Sequence, residues 1–450
     1  MLSLLKICLV LQTLFVFYPL ANGWAGGIIR STMSGVMMLL LVFVIVVGNL
    51  HTPSTKFKTS LIAICILQIL ATILGLFKGY PIKAVFSDIL PPLEYVTWFF
   101  ITITIVQESS VAKDVVRFIC FIIGLLACIE ISIYIISPEF YYHQVAISGI
   151  AFKRIVDFIP PIGFILLTSI TFNNRQEDKF ASNHLTESCP LRHPEKNDKK
   201  LESKGIAYVF IIAMLISICM SFLKSSWIGM ILVLFVVPNL MNIFKIRDNT
   251  VKKKRNNKVL LISIALVVSI SFALNKLFGI SIIEIAIGLL SQLSNDDAES
   301  FERSGYPAIV YEQLSHSPLS PLFGLGLGAG FETTIGETNF SDEKGSTMWR
   351  SEVPSYPLFI FWKTGMAGLV LWLILFLSIR KHLKLGCKID STPFWKNYST
   401  ALGSIYGFVA FISTFAFTPY THYPIMMYLG VLTGILSNYV SVFPHEGKTT

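Results

Sequence analysis

Residues 357–379 read PLFIFWKTGMAGLVLWLILFLSI, a run of 23 positions with a single charged side chain, Lys363. As a helix this run is about 34 Å long at 1.5 Å per residue, enough to cross a hydrocarbon layer roughly 30 Å thick. It is one of many. Apolar runs of similar length lie near 3–19, 32–49, 59–77, 87–106, 115–136, 155–172, 205–222, 226–244, 258–278, 400–417 and 424–443, which makes twelve candidate spans in 450 residues. The run at 87–106 is the least regular, because Asp88, Pro91, Pro92 and Glu94 crowd its first half.

Composition agrees with a membrane as solvent. The chain is 53% hydrophobic and 14% charged, with mean hydropathy +0.66, whereas soluble domains carry about 25% charged residues. The net charge of +9 excludes little by itself, but its distribution argues against nucleic acid. Basic residues gather in the loops between apolar runs, where they set orientation. Lys252-Lys253-Lys254-Arg255 reads as a topology anchor that touches anionic lipid. The seven cysteines include no CxxC pair, and none lies in residues 279–356, so neither disulfides nor a zinc site is expected. The first apolar run reads as a retained span, since Ala21-Asn22-Gly23 is a weak cleavage site for a signal peptide.

The positive-inside rule then orients the chain. With both termini in the cytoplasm, the inner loops and inner helix ends hold 25 of the 36 Lys and Arg residues, and the outer ones hold ten. The longest outer segment, residues 280–356, carries eleven Asp or Glu and three Lys or Arg. The expected organisation is an N-terminal bundle over 1–278, a large exported loop over 279–356 that contains short helices, and C-terminal spans over 357–450.

Charges inside a bilayer are costly and call for a reason. Asp88, Glu94, Arg154, Asp157, Lys224 and Lys276 fall toward the exported ends of their runs, with Glu130 and Lys363 somewhat deeper. That one-sidedness predicts a polar cavity open to the outside. The alternative for single residues is snorkelling to the headgroups, which accounts for Lys276.

In the exported loop, Ser304 is placed to cap a short helix that carries Pro307 in its first turn and runs to about Ser315, with Ile309, Val310 and Leu314 facing the membrane domain. Arg303 would stand beside that helix N-terminus, where a guanidinium and free N–H groups favour phosphate. A loop arginine paired with Glu299 or Glu302 fits equally well. The run Gly324-Leu325-Gly326-Leu327-Gly328-Ala329-Gly330 follows no strand and opens no helix, so it is not a dinucleotide fingerprint. It reads as a tight reversal close to the membrane.

Taken in order, these motifs resemble the O-antigen ligase and polymerase superfamily of bacterial membrane glycosyltransferases. The likeness covers about residues 150–375. An arginine-led helix, here at Arg303, is followed by a Pro-Leu-x-Gly-x-Gly-x-Gly element, here Pro321 to Gly328. Next comes a span that opens with Lys363-Thr364-Gly365-Met366-Ala367-Gly368-Leu369. Upstream, Ser221 to Trp227 resembles the family's Ser-Arg-rich turn, with Lys224 in place of its arginine, and Arg154 with Phe158, Pro160 and Pro161 resembles its Arg-x-x-x-Phe-x-Pro segment. Pro354, followed by Ser355, stands where family ligases carry a histidine, which favours the polymerase branch.

The resemblance implies an all-α membrane fold of about twelve helices and GT-C type in the bacterial inner membrane. It implies a glycan donor on undecaprenyl pyrophosphate, and a glycan or lipid A core as acceptor. Membrane lipids and other polysaccharide-assembly proteins are the remaining expected partners. No metal, cofactor or nucleic acid is implied. Arg303 and Lys224 would be the catalytic cations, and Arg154, Ser304, Gly326, Gly328, Lys363 and His422 would contact substrate. His422, His316, Asp157 and Glu302 are the candidates for the general base. Repeat-unit polymerisation is the expected activity; ligation to lipid A core and transport of lipid-linked sugars are the alternatives, with an inactive relative as a third.

Overall fold

The computed structural model describes residues 2–16, 35–36, 55–137, 144–147, 150–153, 159–184, 204–220, 298–334, 347–350, 353, 355–388, 393–415 and 423–441. In chain order these form α1 (Leu2–Val16), α2 (Thr55–Phe77), α3 (Ile82–Ile105), α4 (Ser109–Ile136), β1 (Gln144–Ile147), β2 (Ile150–Lys153), α5 (Ile159–His184), α6 (Lys204–Met220), α7 (Ala298–Ser315), α8 (Ser320–Phe323), β3 (Phe331–Thr334), β4 (Thr347–Arg350), α9 (Tyr356–Lys388), α10 (Pro393–Phe415) and α11 (Tyr423–Ser441). Nine of the twelve expected spans coincide with helices. The other three, near 32–49, 226–244 and 258–278, lie outside the described residues apart from Gly35 and Val36.

The described residues are mostly helical, which is consistent with a helical membrane protein. Among the described residues, Thr59–Phe77, Ser109–Ile136 and Tyr356–Gly386 are long and apolar enough to cross a bilayer. Large apolar side chains such as Ile66, Leu70 and Phe77 on α2 and Leu373 on α9 face outward, as lipid-facing helix surfaces do. The described chain also contains two small antiparallel hairpins, β1–β2 and β3–β4, which a purely helical expectation left out.

The core is built on α3 and α11. α3 continues through Pro91 and Pro92, and α11 lies against it through Gly430 and Gly434, whose missing side chains let the two backbones approach. A Cβ on Gly430 would sit 2.5 Å from the Tyr95 carbonyl oxygen, and one on Gly434 would sit 3.0 Å from that of Phe99. Small residues four apart are the usual means of such close packing in membranes. At the end of α3, Asn438 Nδ2 donates to the carbonyls of Ile103 and Val106, both at 2.8 Å, and satisfies acceptors that the helix terminus leaves open.

The buried acids of this core are hydrogen-bonded in separate places. Trp98 Nε1 donates to Glu94 Oε2 (2.9 Å) and to Gln12 Oε1 (3.0 Å). Ser217 Oγ donates to Glu130 Oε2 at 2.8 Å. Asp88, Glu94, Glu130 and Lys363 are all buried. These four charges therefore do not line one cavity open to the outside. Each is desolvated and held by its own partner, which is how a low-dielectric medium tolerates it.

Candidate functional site

The helix that carries Arg303 differs from its sequence reading. α7 begins at Ala298, so Ser304 lies inside the helix rather than at its cap, and Pro307 sits in its interior. Pro307 has no N–H, and the bond it fails to make is the one to the carbonyl of Arg303. Arg303 is thus at the point where the helix ladder is interrupted, not beside an N-terminus. The side chains of Arg303 and Ser304 lie outside the described residues, as do Arg154, Lys224 and His422 altogether.

Beyond Pro307, α7 presents Tyr306, Val310 and Leu314, one residue per turn, to Trp362 and Phe359 on α9 and to Leu325 and Ala329 of the glycine segment. Val310 and Leu314 were legible as an apolar face. Ile309 is only half-buried, and Tyr306 takes the fuller contact. Gln313 ties the three elements together. It accepts from Trp362 Nε1 (2.9 Å) and donates through Nε2 to the Gly330 carbonyl (3.3 Å).

The glycine segment docks by its backbone onto a break in α9. Gly365 has φ +66° and interrupts the helix, a conformation that glycine adopts without strain. The break frees the carbonyls of Trp362 and Lys363, which accept from the N–H groups of Leu325 and Gly326, both at 2.9 Å. The Leu327 N–H donates to Ala71 O on α2, also at 2.9 Å. Contact is close enough that a Cβ on Gly326 would lie 2.7 Å from the Gly75 nitrogen.

An ion pair completes the joint. Lys363, with no exposed surface, places Nζ 2.8 Å from Asp88 Oδ2 on α3 and also donates to the Ala329 carbonyl. The same carboxylate oxygen accepts the Gly328 N–H at 2.7 Å. The ammonium lies over the rings of Trp362 (4.5 Å) and Phe359 (5.1 Å), an arrangement that favours a desolvated cation. Trp349 of β4 closes over the segment by donating Nε1 to Gly328 O (3.1 Å), and its ring lies 6.1 Å from that of Tyr80. Burial pushes the Tyr80 phenol above its ordinary range, so it stays neutral.

Of the site residues expected from the sequence, Gly326, Gly328 and Lys363 come together, and their N–H and ammonium groups are engaged with protein acceptors rather than turned to an open pocket. Asp88 and Gly75 are essential members of this joint that the sequence reading did not assign to the site. Asp88 carried a signal: an acid and a base in two apolar runs, both toward the exported end, are candidates to pair. Gly75, a lone glycine in a helix, carried none. His316 is exposed in the turn after α7.

An apolar cavity of about 280 Å³ opens between α3, α9, α10 and α11, lined among others by Tyr95, Tyr356, Ile360, Trp372 and Tyr406. Its lining includes no charged residue, so it suits hydrocarbon rather than a diphosphate. No protein-family model matches the chain, and no curated protein matches it.

Proposed function

We propose that this chain polymerises glycan repeat units carried on undecaprenyl pyrophosphate, at the exported face of the bacterial inner membrane. The observation that carries this reading is the meeting of two of the stretches that make up the resemblance. Residues 321–328 and 363–369 are separate in the chain, yet Gly326 donates to the Lys363 carbonyl, and α7 packs on Leu325 of the first stretch and on Trp362 beside the second. Their contact supports reading the two stretches as parts of one site.

In this proposal the fold is a GT-C-like arrangement of about twelve spans, with residues 279–356 outside. An acceptor sugar hydroxyl attacks the anomeric carbon of the donor. The new glycosidic bond forms as the bond to the pyrophosphate oxygen breaks, and undecaprenyl pyrophosphate departs with the electron pair. The hydroxyl proton passes to a base, for which His422, His316, Asp157 and Glu302 remain the candidates. Charge that grows on the leaving group is neutralised by Arg303, assisted by Lys224 and Arg154, the kind of fixed electrostatic stabilisation that dominates many transferases. Gly326, Gly328 and Lys363 act by holding the loop, and through it the Arg303 helix, against the bundle. Pro354 in place of the ligase histidine favours polymerisation over ligation.

Deleting the gene and resolving surface glycans on a gel tests this reading. The expected pattern is acceptor capped with a single repeat, with long chains restored by the wild-type gene. Long lipid-linked chains left unattached to core would instead identify a ligase, and lipid-linked units trapped facing the cytoplasm would identify a transporter.

A further inference from the structure

The turn between α7 and the β3–β4 hairpin has properties that a loop in water does not need. α8 is four residues long, yet Leu319, Leu322 and Phe323 on and beside it are 62%, 51% and 56% exposed. Their level in the bundle is fixed. The backbone of Leu322 abuts Gly365, and that of Gly324 abuts Lys363 and Thr364, inside the apolar run Tyr356–Gly386. Gly365 is nine positions into α9, or about 13 Å along its axis.

The neighbouring surfaces are apolar on both sides of that level. Met366 and Val370 on α9 are 48% and 46% exposed, and Ile73, Leu76 and Phe77 on α2 are also exposed. α2 meets the segment at Ala71 and Gly75, so Leu76 and Phe77 extend the apolar surface beyond it toward the helix end. The exposed face of α8 is therefore continuous with the lipid-facing flanks of two spans.

The backbone gives an independent indication. From Ser320 to Ala329 every peptide N–H has a protein acceptor, Pro321 having none to satisfy. Ser320 donates to Ser317, Leu322 and Phe323 to Leu319, Gly324 to Ser320, Leu325 to Trp362, Gly326 to Lys363, Leu327 to Ala71 and Ala329 to Gly326, while Gly328 donates to Asp88. A loop in water has no need of this. Irregular backbone at membrane depth does, because nothing in hydrocarbon can hydrogen-bond it.

We infer that residues 316–330 are a re-entrant element, with Leu319, Leu322 and Phe323 immersed in the acyl chains of the leaflet on the loop's side. The occupant of this face is lipid hydrocarbon. The element brings the Arg303 helix down to the headgroup level, where a lipid-linked diphosphate lies. The inference deepens the proposed function on that point, but immersion itself rests on geometry and not on the transfer chemistry.

Spin labels on Leu319→Cys, Leu322→Cys and Phe323→Cys, each in the full chain reconstituted in phosphatidylcholine–phosphatidylglycerol vesicles, test it without substrate. The unsubstituted chain, labelled in parallel, supplies the background from its own cysteines. Collisions with molecular oxygen and with a water-soluble nickel chelate are compared with those of Leu373→Cys on α9 and Glu312→Cys on the exposed side of α7. The expected oxygen-to-nickel ratio is several-fold above that of Glu312→Cys and close to that of Leu373→Cys. A ratio equal to that of Glu312→Cys puts the element in water and overturns the inference. Low collision rates with both probes show that a second copy or another segment covers the face, and overturn it too. Three positions are read separately, so that one variant failing to insert does not decide the result. A transport or ligation phenotype in the deletion strain would refute the proposed function while leaving these ratios unchanged.

Discussion

Lys363→Met destabilises the protein by about 3–5 kcal/mol, the usual effect of removing one partner from a buried ion pair. The substitution keeps most of the side-chain volume and removes the charge. Asp88, itself 3% exposed, is then left with the Gly328 N–H as its donor among the described residues. Asp88→Leu has an effect of similar size, because it removes the carboxylate from a fully buried ammonium that also meets Trp362, Phe359 and the Ala329 carbonyl. The double variant is expected to recover most of the loss, since two apolar residues no longer carry the desolvation penalty of two ions. Reversible unfolding in mixed micelles of the wild type, both single variants and the double variant closes the cycle and isolates the coupling. A coupling near zero would mean that the pair is solvated and behaves as surface pairs do.

Gly75→Ala produces the second large effect. The added methyl group would fall well inside van der Waals contact of the Leu327 carbonyl. Both partners are backbone, so no rotamer change relieves the clash, and the glycine segment must move off α2. Gly365→Ala has the same consequence on α9, because its methyl would meet the Leu322 carbonyl and its φ of +66° is unfavourable for alanine. Gly79→Ala is the control. Its φ of +74° is similarly strained, yet nothing lies within 4 Å, so the expected cost is about 1 kcal/mol of backbone preference and no displacement. Amide hydrogen exchange reads the difference at Leu325, Gly326 and Leu327. Protection there should collapse in Gly75→Ala and Gly365→Ala and persist in Gly79→Ala. Unchanged protection in Gly75→Ala would show that the loop is not held by this contact.

Nine of the described helices could be placed from the sequence because a span of hydrocarbon thickness needs a run of apolar residues whatever its neighbours are. Even the run with Pro91 and Pro92 forms one helix, α3. What escaped the sequence depends on partners remote in the chain. The burial of Lys363 was legible as depth, but its pairing with Asp88 required knowing that α3 and α9 converge. The glycine run was legible as a tight reversal close to the membrane, but its backbone docking on the break at Gly365 and on Gly75 was not. The start of α7 was misplaced because a serine just before a glycine and three residues before a proline suits a cap locally, whereas the packing of Tyr306, Val310 and Leu314 supports a longer helix that tolerates the proline. The β3–β4 hairpin spans residues too short and too polar to announce a strand pair.

The joint between loop and bundle matters to function only if the loop carries the chemistry, and one assay reads that directly. Purified protein in vesicles is supplied with an undecaprenyl-pyrophosphate-linked repeat unit, and the length of the glycan product is followed by mass spectrometry. The account predicts lipid-linked chains of increasing length and release of undecaprenyl pyrophosphate with the wild type. With Arg303→Ala it predicts no elongation, although that variant inserts and folds normally. Equal elongation by Arg303→Ala, or none by the wild type with donor present, would contradict it.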